Sequence, residues 1–127
     1  TFAFAKRNGL KTISVNAFRA AGIVEAVRQA MQVATDGTDT VYVSVDIDVC
    51  NNADAPGTGS PVFTGLTAAE FLALLNEIGG YAEIGAIDLC EVSPPLDPSG
   101  ATADLAAEGI LALLRRHLFE TTSLPQY

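Results

Sequence analysis

The chain reads as an α/β domain with parallel strands. Two patterns predict this. Apolar residues alternate with polar ones over 41–49, and 83–90 is a second short strand, whereas over 17–34, 67–78 and 101–119 apolar residues recur at helical spacing. The two kinds of segment also follow one another in turn, which is the order that gives a parallel sheet with crossover helices.

Residues 1–10 end in the turn signal Asn8-Gly9 and look like the tail of a helix or loop. Lys11-Thr12-Ile13-Ser14-Val15 is a short strand candidate, and Asn16 is placed to cap the helix that follows. That helix, 17–34, carries Ile23, Val24, Val27, Met31 and Ala34 on its apolar side, and Gly37 closes it. The strand 41–49 follows, and then 50–65, a Gly-, Pro- and Asn-rich stretch without period, is expected to be a long loop of the kind that often carries function. Thr67-Ala68-Ala69-Glu70 is a capping box for a helix with Phe71, Leu74, Leu75 and Ile78 inward and Gly79-Gly80 as its stop. A strand over 83–90 ends near Asp88, the prolines of 93–100 forbid its continuation, and a last helix runs from Ala101 to Phe119 with Leu105, Ile110, Leu113, Leu114 and Leu118 toward a core.

At 127 residues the chain has the size of one domain, and 49% hydrophobic residues make it globular. No apolar run is long enough to span a bilayer as a helix. A formal charge of −8 argues against nucleic acid and anionic membranes and favours a cationic ligand or a metal ion. Two cysteines, Cys50 and Cys90, fit a reducing, cytoplasmic setting and read as small buried residues. The chain starts at Thr1 and its one methionine is Met31, so a processed product or a piece of something longer is expected.

In the alternating strand, Val41, Val43, Val45, Ile47 and Val49 share one face, and Tyr42, Ser44, Asp46 and Asp48 share the other. Two carboxylates two residues apart on one face stand about 6 Å apart and repel by roughly 3 kcal/mol at an effective dielectric near 20. A shared proton, a basic side chain or a divalent cation would offset this. Between Lys11 and Arg115 the basic residues are Arg19 and Arg28 alone, both on the preceding helix. Neighbouring carboxylates without a basic partner make an oxygen site for a hard or borderline metal.

Ser44-Val45-Asp46-Ile47-Asp48, followed by Ala55-Pro56-Gly57-Thr58-Gly59-Ser60-Pro61 and Gly65-Leu66-Thr67, resembles a signature of the ureohydrolase (arginase/agmatinase) family. Asp88-Leu89-Cys90-Glu91-Val92-Ser93-Pro94-Pro95-Leu96-Asp97 is similar to that family's next motif, and Thr102-Ala103 and the closing helix follow its pattern. The resemblance implies a partial arginase-like fold, a three-layer α/β/α arrangement around a mainly parallel sheet, of which 1–127 is the carboxyl-terminal part. It implies hydrolysis of the C–N bond of a small cationic guanidino substrate with two Mn²⁺ ions, Asp46 and Asp48 as metal ligands, and Asp46 bridging the pair. It further implies that Glu91 receives the guanidinium, whose fork matches a carboxylate in charge and shape. Thr58 and Ser60 are candidates to line the substrate pocket. The wording of both motifs is nearer agmatinase than formimidoylglutamase, and homo-oligomers are common in the family.

The chain departs from the family at Val49-Cys50-Asn51-Asn52, where many members carry a Leu-Asp-Pro-like run. The family's histidine motifs, Gly-Gly-Asp-His and Asp-x-His-x-Asp, are not in this sequence, whose one histidine is His117 in the last helix. These residues alone are therefore expected to be inactive. Two other readings stand beside this one. A non-catalytic assembly or regulatory domain derived from the family fits the missing histidines. A Mg²⁺-dependent phosphotransfer domain would use the Asp-x-Asp, but the chain has no P-loop.

Overall fold

The computed structural model describes residues 2–121. After a short helix α1 (Phe2–Arg7), the chain is exposed and irregular up to the start of α2 (Val15–Ala21). The expected strand over 11–15 does not form. Residues 11–14 are exposed and pair with no strand, and β-branched residues without a partner do not hold an extended ladder. The cap is Ser14 rather than Asn16, its hydroxyl accepting the Ala17 N–H at 3.2 Å.

The segment expected as one helix is two, broken at Gly22 (φ 82°), after which α3 runs Ile23–Ala34. A left-handed turn of this kind suits glycine, and it lets Phe18 of α2 and Ala26 of α3 close on the same residue, Leu66. On α3 the buried residues are Ala26, Val27 and Met31, whereas Val24 and Ala34 are exposed.

β1 (Val41–Asp46) and β2 (Ile84–Cys90) pair in parallel, in register from Tyr42 opposite Ala86 to Asp46 opposite Cys90. α4 (Ala68–Ile78) connects them and α5 (Ala101–Arg116) follows. The α/β class and the parallel pairing are as expected. Val43, Val45, Ile87 and Leu89 pack toward Phe71 and Leu75 of α4 and Ala106 and Leu113 of α5. The opposite sheet face, with Tyr42, Ser44, Asp88 and Cys90, is exposed. Between α3 and β1 an apolar cleft of about 390 Å³ runs past Val27, Met31, Val41 and Val43.

α4 forms as the sequence indicates. Thr67 Oγ1 accepts the Glu70 N–H at 3.2 Å and Glu70 Oε2 accepts the Thr67 N–H at 2.8 Å. Arg19 grips the same Glu70 through Nε and Nη2 at 2.8 and 2.9 Å and also donates to the Gly65 carbonyl. These bonds, Arg19's first, lower the Glu70 pKa from 4.5 to about 2. A carboxylate depressed on folding stabilises fully above its unfolded value and loses that contribution as pH falls through the folded one. Glu70→Gln is therefore expected to lower stability at pH 6, with the gap to the wild-type chain closing between pH about 4.5 and 2. Urea melts across that range test it; a gap that does not change with pH would contradict it.

α5 packs through small residues as well as large ones. Its buried positions are Thr102, Ala106, Gly109 and Leu113, with Leu105, Ile110 and Leu114 half-buried. Leu118, expected in the core, is 49% exposed because the helix ends at Arg116 and a wider turn, His117–Thr121, redirects it.

Candidate metal and guanidinium site

The regular ladder of β1 stops at Asp46, and Ile47–Val49 tightens into a single 3-10 turn. Ile47 still points into the core at 0% exposure, but Val49, expected inside, is 37% exposed. The turn moves Asp48 off the strand without separating it from Asp46, whose Oδ1 accepts the Asp48 N–H at 2.9 Å. Asp46 is exposed and Asp48 is half-buried.

Asp48 has an unmet requirement. Its Oδ1 is buried and accepts no hydrogen bond. Burial first, and then the charge of Asp46, push the Asp48 carboxyl above its usual range, while the nearby Ser60 hydroxyl pulls the other way. An orphaned carboxylate oxygen beside a second carboxylate is costly unless a cation meets it. The chain's cations nearest in sequence are committed elsewhere, Arg19 to Glu70 and Arg28 to Glu25.

Glu91 follows β2 directly. It is exposed and holds φ 66°, the one non-glycine with positive φ among the described residues. A side chain in this region costs about 1–2 kcal/mol, and strain of this sort gathers where a group must be aimed. The Cys90 thiol is pushed up by burial first, then by the charges of Asp46, Asp88 and Glu91. Cys90 itself is exposed, contrary to expectation, because the sheet face it shares with Asp88 is open. Cys50 is buried as expected, and burial lifts its thiol to about 12.

The loop over 50–65 is tied down. Asn51 pairs with Val62 and Cys50 with Leu66, and Asp54 Oδ2 accepts from both Asn51 Nδ2 and the Ala68 N–H at 2.8 Å. Thr58 is 2% exposed and its Oγ1 faces the Ser60 N–H at 3.4 Å, so it braces the loop, while Ser60 is exposed toward the acids. Tyr42 donates its hydroxyl to Asp88 across the sheet, and this bond first, then Ser44, holds Asp88 below the usual carboxylate range. Neither residue was singled out for such a role. The signal for it was their shared face on paired strands.

The arrangement offers oxygen ligands from Asp46 and Asp48 and a separate carboxylate, Glu91, for a cation. Among the described residues no three His, Cys, Asp or Glu side chains gather at metal-binding distance. Two ligands fit a metal only as part of a larger set.

The model of the arginase family matches residues 1–115. The guanidinopropionase of Pseudomonas aeruginosa is 38% identical over 112 residues, which are 88% of this chain and 34% of that protein. Among solved structures, the proclavaminate amidinohydrolase of Streptomyces clavuligerus superposes with a TM-score of 0.82 at 35% identity, covering 94% of this chain and 39% of its own. The formimidoylglutamase of Bacillus subtilis superposes with a TM-score of 0.88 at 27% identity, covering 95% and 38%. The chain thus spans about a third of the length of the curated relatives it matches.

Proposed function

The chain belongs to the arginase family, and on that premise we propose that it carries part of a binuclear manganese site. That site cleaves the C–N bond of a small cationic guanidino compound and releases urea. The observation that supports this most is the buried, unpartnered Oδ1 of Asp48 beside Asp46. Asp46 and Asp48 would hold manganese through oxygen, with the other ligands supplied from outside these residues. Manganese bound there would act as a Lewis acid and activate water for attack on the guanidinium carbon.

The chain's own residues bind and orient. Glu91 presents its carboxylate to the substrate cation from a strained, left-handed backbone just after β2. The Ser60 hydroxyl lies near Asp48 and favours its charged form. The two motifs favour an agmatine-like substrate, and hydrolases of guanidino acids are among the relatives the chain is similar to.

A chimaera in which residues 1–115 replace the matching third of the guanidinopropionase tests the reading. With Mn²⁺ it is expected to release urea from agmatine or a guanidino acid, whereas the 127-residue chain alone releases none. A correctly folded chimaera that binds Mn²⁺ yet turns over no guanidine, or robust turnover by the chain alone, would contradict it.

A further inference from the structure

One buried carboxylate, Asp97, takes no part in the chemistry above. It is 6% exposed and fully engaged. Its Oδ1 accepts the Ser99 N–H at 3.1 Å and the Ser99 hydroxyl. Its Oδ2 accepts the Thr102 N–H at 2.8 Å and the Thr102 hydroxyl at 2.9 Å. A threonine hydroxyl has a single proton. Because that proton goes to Asp97, a lone pair of Thr102 Oγ1 is left facing the other way, where it accepts the Gly57 N–H at 2.7 Å. The Gly57 carbonyl in turn accepts the Ser93 N–H at 2.7 Å.

Gly57 is therefore held on both sides, by Thr102 at the start of α5 and by Ser93 just beyond Glu91. The approach is too close for any side chain at 57, since a Cβ there would lie 2.7 Å from Asp97 Cβ and 2.9 Å from Thr102 Oγ1. Gly57 opens the Gly57-Thr58-Gly59-Ser60 turn. The bonds from Asp97 through Thr102 and Gly57 to Ser93 thus run between the loop that brings Ser60 to Asp48 and the segment that carries Glu91.

We propose that Asp97 is a positioning residue: by fixing the direction of the Thr102 hydroxyl, it sets the separation of the Ser60 loop from Glu91, and so the gap in which a guanidinium is gripped. This rests on the reading of Asp46, Asp48 and Glu91 as a guanidine site. A carboxylate is required because all four of its partners are donors. In Asp97→Asn the amide NH₂ must face either the Thr102 pair or the Ser99 pair, donor against donor. Thr102→Val keeps the shape and removes the acceptor from Gly57, whereas Thr102→Ser keeps the hydroxyl.

Amide exchange followed by NMR on the 127-residue chain without metal reads the lock directly. Thr102→Val is expected to speed exchange at Gly57 by about 10-fold, the effect of one lost hydrogen bond of roughly 1.4 kcal/mol, and Asp97→Asn to speed exchange at the Thr102 or Ser99 amide that its NH₂ meets. Both should also move the Ser60 and Glu91 amide signals, with α4 unchanged. Thr102→Ser is expected to behave as wild type. Unchanged Gly57 exchange in Thr102→Val, or Ser60 and Glu91 shifts as large in Thr102→Ser as in Thr102→Val, would overturn the proposal. Should Asp97→Asn fail to fold, the Thr102 pair decides alone. Since no metal or substrate enters this measurement, an inactive chimaera would count against the guanidine site and not against the lock.

Discussion

Asp46→Ala in the chimaera is expected to cut manganese-dependent urea release by at least ~100-fold. Loss of a group that merely supports a ligand already costs about 10–100-fold in metal affinity or activity, and loss of a ligand itself, the role proposed for Asp46, should cost more. The same change should barely disturb folding. Asp46 is exposed, the pairing of β1 with β2 is a backbone ladder, and among the described residues the side chain accepts the Asp48 N–H. Losing that bond is worth about 1 kcal/mol. A ligand role and a structural role therefore separate cleanly. Urea melts of the metal-free 127-residue chain should differ by no more than about 1 kcal/mol, while added Mn²⁺ stabilises the wild-type chimaera and not the variant. An Asp46→Ala chimaera with near-normal turnover would remove Asp46 from the metal site.

The largest effect on stability is expected at Phe71. It is 0% exposed at the centre of the core and lies against Gly109 of α5. Phe71→Ala should cost about 3–5 kcal/mol, a large share of the roughly 5–15 kcal/mol that holds a domain folded. Gly109 makes the prediction sharper. A Cβ at 109 would lie 2.6 Å from Phe71 Cε1 and 2.8 Å from Leu75 Cδ1. Gly109→Ala should therefore destabilise the wild-type chain by overpacking, about 1–3 kcal/mol, against a gain in helix propensity of at most about 1 kcal/mol. With Phe71 already alanine, the added methyl enters the vacated space and the sign reverses. Denaturant melts of the two single variants and the double variant measure this. Additive losses would mean that Phe71 and Gly109 do not share the contact.

The parts of the fold that were legible in the sequence are those set by local chemistry. The capping box at Thr67 to Glu70 and the Phe71, Leu74, Leu75, Ile78 stripe carry their own geometry, and the first strand shows period two. What failed depended on partners. Lys11 to Val15 has strand residues but no strand beside it. The 17–34 stripe runs through Gly22 without a break in apolar spacing, and only the closing of Phe18 and Ala26 on Leu66 shows that the axis turns. The inner face of α5 was legible in part: Leu113 is buried and Leu105 and Leu114 pack against the core as expected, but counting large residues missed Thr102, Ala106 and Gly109 and placed Leu118 inside.

The site divides along similar lines. Adjacency of Asp46 and Asp48 followed from a spacing of two, and it survives although Asp48 leaves the strand for a 3-10 turn. The strained backbone of Glu91 has no signature in its neighbours. The Asp97 lock did leave a trace, in Asp97-Pro98-Ser99-Gly100 ahead of Thr102. An Asp two residues before Ser favours a side-chain-closed turn. That the turn reaches across to Gly57 is a tertiary fact, which the sequence order conceals.

Anomalous diffraction at the manganese edge, on crystals of the manganese-loaded chimaera, locates the metal directly. Manganese density is expected against the carboxylates of both Asp46 and Asp48, with Glu91 apart from it and turned toward the substrate space. Density that touches neither aspartate in a chimaera that still releases urea would contradict the assignment of this site.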